Sequence, residues 1–150
     1  MSLEVAFQVK DAEPAVLAMR VFQPMRALSV RQPWSELIIL GHKNIEVRSK
    51  RTNIRERVHI YAGRSRIETD EEARIAAQFG IDVNGLPRGV LVGTVEIVGC
   101  RPLDVSDSPA ACFRIDQASG FFAWLLLRPE RAENLQTPKK HPQPVFFNPF

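Results

Sequence analysis

The chain has 150 residues, 45% of them hydrophobic and 25% charged, with a formal net charge of +3. That balance excludes a disordered chain, and no apolar run approaches the ~18 residues of a membrane span, so one compact domain with one core is expected. Cys100 and Cys112 are the only cysteines, and with His42, His59 and His141 they form no metal-ligand spacing; neither a metal nor a cofactor is expected.

The opening MSLEVAFQVKDAEP carries acids early and has no basic-then-apolar leader, so a cytoplasmic location with reduced thiols is expected. Residues 1–24 read as an N-terminal extension, in part an expression leader, with VAFQV suited to a strand and EPAVLAMR to a short helix. The domain proper is read as 25–150. RALSV suits a strand, and Pro33 suits the first position of a helix, where its missing N–H has no partner to lose. Trp34, Leu37 and Ile38 then give that helix an apolar stripe, and Gly41 ends it.

In GHKNIEVRSK, Ile45 and Val47 alternate with Glu46 and Arg48, the period-two pattern of a half-buried strand, so Glu46 and Arg48 share a face. RVHIYAG has the same alternation, and across the polar RTNIRE the two runs are expected to pair as a hairpin. ETDEEARIAAQFG reads as a helix, with Thr69 and Glu72 at capping-box spacing and Gly80 as its stop. VLVGTVEIVG reads as a strand buried on both faces with Glu96 its one charge, and GFFAWLLLR as a further buried strand. The five prolines of PERAENLQTPKKHPQPVFFNPF point to irregular or edge structure. Several strands with two inserted helices define an α+β domain, in which a small, partly closed barrel hides the sheet edges.

Several residues carry a functional reading beside a plain one. Lys43, at the helix-to-strand turn, suits either a solvated turn or contact with a phosphate. Glu46 and Arg48 form either an ion pair at a barrel mouth or a pair that aims Arg48 at a phosphate or base edge. Glu96 either faces water or shares a cleft with Lys43, where burial and the lysine charge would push its pKa in opposite directions. Arg31, Gln32 and Trp34 are candidates to line a cleft at the helix start, and Trp34 equally suits the core. Tyr61 and His59 are candidates for base stacking. Between Lys43 and Arg66, eight basic residues stand against Glu46 and Glu56; of these, Arg51, Arg55, Arg57, Arg64 and Arg66 read as a track for an RNA backbone or as a solvated face.

The run ALSVRQPWSELIILGHKNIEVRSKRTNIRERVHIYAG, followed by VLVGTVEIVGC and GFFAWLLLRPERAENLQTPKK, resembles the ASCH domain (activating signal cointegrator homology) of the PUA-like superfamily. Its most specific element is Gly41-x-Lys43-x-x-Glu46-x-Arg48 after a Gln-Pro-Trp helix start. The resemblance implies a PUA-like β-barrel with peripheral helices and a cleft lined by that motif. It further implies binding of RNA or a modified nucleoside, in RNA metabolism or in regulation of translation or transcription. One branch of the family hydrolyses the amide of N4-acetylcytidine with a lysine, a threonine three residues later and a glutamate on a later strand, and another member is described as a ribonuclease. On this chain Lys43 and Glu96 match the lysine and the glutamate, while Glu46 stands at the threonine position. A carboxylate cannot do a hydroxyl's work, so binding is expected ahead of hydrolysis, with Lys43 and Glu96 the catalytic pair if there is one. The apolar VFFNPF leaves a third reading, a protein-interaction domain that docks through its tail.

Overall fold

The structure, a computed structural model, describes residues 24–150. The strand and helix expected within 1–23 lie outside the described residues. Six strands form one mixed sheet: β1 (Ala27–Arg31), β2 (Ile45–Arg48), β3 (Arg57–Gly63), β4 (Val90–Pro102), β5 (Phe122–Gln136) and β6 (Phe146–Phe147), in the order β2-β5-β4-β3-β1-β6. Helices α1 (Trp34–Ile39), α2 (Thr69–Phe79) and the single turn α3 (Ser108–Ala111) fill the connections. The α+β architecture expected from the sequence is the observed one.

β4 and β5 are long and bulged, with register shifts beside Gly93 and Gly99 that bend the pair and let the sheet curl. A Cβ on Gly93 would lie 2.2 Å from the Glu130 carbonyl and 2.6 Å from Ile39 Cδ1, so only glycine lets β5 and α1 approach here. The curl brings β2 back toward β1 without main-chain pairing between them. Instead Arg48 of β2 donates to the Ser29 carbonyl of β1 at 2.7 Å, and Phe146 of β6 stacks on Trp124 of β5 with ring centroids 5.5 Å apart. The result is a half-barrel closed by side chains around a core that includes Leu28, Ile38, Val58, Ile60, Val95 and Trp124.

The hairpin expected between residues 45–50 and 57–63 does not form. β2 pairs antiparallel with β5, Glu46 opposite Trp124, and β3 lies between β1 and β4. The intervening loop is no simple polar turn: Thr52 is buried, Ile54 packs on the core, and the Lys50 carbonyl accepts from Trp124 Nε1 at 2.9 Å. β2 thereby places Ile45 in a second small core with Leu103, Ala111, Ile115 and Ala123.

Other local expectations shift for similar reasons. Pro33 caps α1 rather than opening it, and Gly41 leaves the helix at φ 84° as expected of a stop residue. Thr69 and Glu72 make no capping box: α2 is entered through Glu68 with no side-chain cap, and the buried Glu72 carboxylate takes two hydrogen bonds from Arg66 at 3.1 and 2.8 Å. β5 runs on to Gln136, through residues expected to be irregular; Pro129 is tolerated because the β2 ladder begins at Ile45 opposite Leu125, leaving that edge of β5 unpaired with β2 beyond it. The tail folds back on its own sheet, with Phe147 buried edge-on against Tyr61 and β6 paired to β1, so the VFFNPF segment is not a free docking element.

Candidate functional site

A cavity of about 490 Å³ opens between β1, β2 and the segment that precedes β5. Its polar part is built by the helix stop. After α1, Gly41 turns the chain so that the amides of His42 and Lys43 both donate to the Leu37 carbonyl, at 2.9 and 3.0 Å. From the far side, residues 110–112 clamp the same loop: the Ala110 carbonyl accepts from Asn44 N at 2.8 Å, and Cys112 Sγ donates to the His42 carbonyl at 3.3 Å.

The clamp sets the fate of Lys43. Expected in a solvated turn with a mobile ammonium, it is instead 2% exposed. Its Nζ donates to the Ala111 carbonyl at 2.7 Å and lies 3.5 Å from Glu46 Oε1, over the rings of Trp34 and Phe113. A lysine ammonium suits this place because the last carbonyls of a helical turn have no partners within it. Glu46 is buried too, and its other oxygen accepts from Arg48 Nε at 3.2 Å and Nη2 at 2.8 Å. Arg48, over the Trp124 ring, is partly exposed and its Nη1 makes no hydrogen bond among the described residues. The shared face predicted for Glu46 and Arg48 is present, and the pair joins Lys43 in one chain of charge.

The three groups shape one another's protonation. Burial pushes the Lys43 ammonium pKa below its usual 10.5 and Glu46 only partly offsets this. Burial pushes the Glu46 carboxyl upward, but the charges of Lys43 and Arg48 outweigh it and hold that carboxyl below its usual 4.5. Glu46 is therefore a carboxylate whose oxygens are already engaged, with little freedom to act as a proton carrier.

Around this floor stand apolar walls: Val30, Trp34, Val47, Phe113, Phe121 and Val145. Phe121 is 41% exposed at the mouth. Arg31 joins the rim with its guanidinium 5.9 Å from the Trp34 ring centroid. Three basic side chains, Arg31, Lys43 and Arg48, thus line the cavity against the single acid Glu46.

Other candidates from the sequence lie elsewhere. Glu96 does not share the cleft with Lys43: it sits on the half-exposed face of β4, bonded to Arg128 and 3.6 Å from Arg57, because Val95 and Ile97 on either side take the core positions. Gln32 is fully buried and does not line the cleft; its side chain caps α1, accepting from Glu36 N at 3.0 Å and donating to the Pro87 carbonyl at 3.0 Å. Tyr61 is buried and faces a neighbouring cavity, and His59, on the same face of β3, lies apart from it against Phe150.

The basic track is not continuous either. Arg55 is held by the Thr52 and Ile54 carbonyls, Arg57 by Thr94 and Glu96, and Arg66 by Glu72 and Asn84. Arg51 stacks on Phe122 at 4.6 Å, and Arg64 lines the neighbouring cavity. Sequence reasoning missed Phe113, Phe121 and the Ala111 carbonyl; the available signal was two phenylalanines in an otherwise polar connection. Among the described residues no group of three or more histidine, cysteine or acidic side chains is placed to hold a metal, and no helix is long and apolar enough to cross a membrane.

A buried Lys-Glu-Arg chain thus lies under aromatic walls at the mouth of the α+β half-barrel, and comparison with known proteins gives this domain a family. The ASCH domain model matches residues 28–140, and the chain belongs to that family. It is 36% identical over 80 residues to activating signal cointegrator 1 of Homo sapiens and to its Mus musculus counterpart, a match covering 49% of this chain and 14% of the length of each relative. A crystal structure of ASCH from Zymomonas mobilis is 16% identical, covers 72% of this chain with 70% of its own, and superposes with a TM-score of 0.49. A mutant form of that protein gives 14% identity, 73% coverage of both chains and a TM-score of 0.45.

Proposed function

We propose that this domain binds single-stranded RNA or a modified nucleoside, with a base seated in the cavity above Lys43, Glu46 and Arg48, and that it serves RNA metabolism or gene regulation. The observation that carries the reading is the pairing of a fixed, net-basic polar floor with aromatic walls. A nucleobase has a flat apolar face and a polar edge, and the cavity offers a surface for each: Trp34, Phe113 and Phe121 for the face, Arg48 Nη1 for an acceptor on the edge. The volume lies within the roughly 300–1,000 Å³ of small-ligand sites. Burying Lys43 and Glu46 costs stability that an apolar filling would not, and a site for a polar ligand gives that cost a use. Membership of the ASCH family, read through its resemblance to RNA-associated domains, supports the same conclusion.

Fluorescence anisotropy with a labelled eight-residue single-stranded RNA at low salt tests it. Phe121→Ala, a change at an exposed position, is expected to weaken binding by about 1–3 kcal/mol, the loss of one stacked base. An absence of binding at low salt, or a Phe121→Ala variant that binds like the parent, removes the proposal.

A further inference from the structure

A second cavity, of about 720 Å³, adjoins the first. The two share Ser29, Arg31 and Pro144. The bar between them is the segment 143–145, pinned to β1 by the Ser29 hydroxyl on the Gln143 carbonyl at 2.7 Å and by Ser29 N on the Val145 carbonyl at 2.8 Å. Its lining differs from that of the first cavity. Arg31, Arg64 and His141 face it together with Ser65, and no aspartate or glutamate is among its lining residues.

Of the arginines there, Arg64 is seated against the backbone. A Cβ on Gly89 would lie 2.8 Å from Arg64 Nε and 3.0 Å from its Cζ, so the guanidinium lies close against Gly89, whose φ of +75° favours glycine. Gly63 is in ordinary contact with the stem of Arg31, whose Cγ lies 3.5 Å from where the Gly63 Cβ would be, and the Arg31 guanidinium is borne over the Trp34 ring. Arg64 has no ion-pair partner among the described residues, in contrast to Arg57 and Arg66, which are paired with acids. Arg64 against Gly89, Arg31 on the border of the two cavities and the His141 imidazole, around a cavity lined by no carboxylate, form a receptor for an anion with several acceptor oxygens.

We infer that this second cavity is a phosphate subsite, formed by Arg31, Arg64 and His141, and that the ligand crosses the Ser29–Pro144 bar with its base in the first cavity and its phosphate in the second. The identity of the base-bearing part rests on the proposed function; the anion site does not. The inference narrows the ligand to a phosphate-bearing nucleotide or strand, and places the sequence-independent contacts on Arg31, Arg64 and His141 rather than along Arg51, Arg55, Arg57 and Arg66.

The test has two arms. In the first, binding of uridine, uridine monophosphate and the single-stranded eight-residue RNA is measured against salt for the parent and for Arg31→Gln, Arg64→Gln and His141→Gln, with Arg128→Gln, which lines neither cavity, as control. Binding is expected to strengthen from nucleoside to nucleotide to strand. Each site arginine removed should lower the magnitude of the log K against log salt slope by about 0.7, the value for one phosphate on a single strand, and Arg128→Gln should leave it unchanged. In the second arm, inorganic pyrophosphate is titrated while the side-chain NMR signals of Arg31, Arg64 and His141 are followed.

RNA binding with an unchanged slope in both arginine variants, or with an equal fall in Arg128→Gln, overturns the subsite and leaves the base reading standing. Pyrophosphate shifting those signals without any RNA binding upholds the anion site and removes the base reading. No response to either probe removes both.

Discussion

Lys43 and Glu46 are buried together three residues apart; Glu46 is the acid beside the Lys43 ammonium, while Glu46 is held by Arg48 as well. Removing one partner of such a pair leaves an uncompensated charge in the interior, which typically costs about 3–5 kcal/mol. Lys43→Ala leaves Glu46 with Arg48 as its counter-charge, so that variant is expected to lose less than this, about 1–3 kcal/mol by urea unfolding. The double variant Lys43→Met with Glu46→Gln should recover part of the loss, and strictly additive effects would show that the two do not interact. The pH dependence follows from the shifts. A carboxyl held below 4.5 in the fold contributes stability that is complete above the unfolded value and is lost as pH falls through the folded one. Lys43 acts in the opposite sense: an ammonium with a pKa lowered from 10.5 opposes folding at neutral pH, and that penalty is relieved as pH climbs toward 10.5. Stability profiled from about pH 3 to pH 7 should therefore show a shallower acid limb for Glu46→Gln than for the parent. Equal limbs would mean that Glu46 is not held as described.

Among the elements, β4 organises the most. It pairs with β3 on one side and β5 on the other and supports α1 through the gap at Gly93. Gly93→Ala would push a methyl into a main-chain carbonyl, which no side-chain rotation relieves. A loss of more than about 3 kcal/mol is expected, beyond ordinary overpacking, whereas Gly80→Ala meets open space and strains only its own φ of 66°. Thermal unfolding of the two variants checks the contrast, and a Gly93→Ala protein as stable as the parent would mean that β5 and α1 are not so close. The same elements show what the sequence can reveal. β1, α1, β3, α2 and β4 follow from local periodicity and stop residues, and so does the common face of Glu46 and Arg48. The partner of β2 does not, because pairing is settled by what Ile45 and Val47 pack against, and those groups lie more than fifty residues further on. The burial of Lys43 was illegible for the same reason: its acceptor, the Ala111 carbonyl, is 68 residues away in the chain. The pairing of Glu96 with Arg128 and Arg57 likewise appears only once β3, β4 and β5 are in register.

For the molecule as a whole, the adjacency of β1 and β6 matters beyond the core it seals. Ala27 lies opposite Phe147 and Leu28 opposite Phe146, so the way into the domain and the way out of it are side by side on one sheet edge, away from β2. A unit with that layout is topologically a closed ring with one cut. The cut can be moved: a circular permutant that joins Phe150 to Pro24 by a short glycine-serine linker and opens the exposed turn after Gly85 is expected to keep the circular dichroism spectrum and cooperative unfolding of the parent. A permutant lacking cooperative unfolding would show that chain order, and not only contact, holds the sheet together. For the same reason the domain can be inserted into a host loop without stretching it, since the host need only supply two strands' width at the point of insertion.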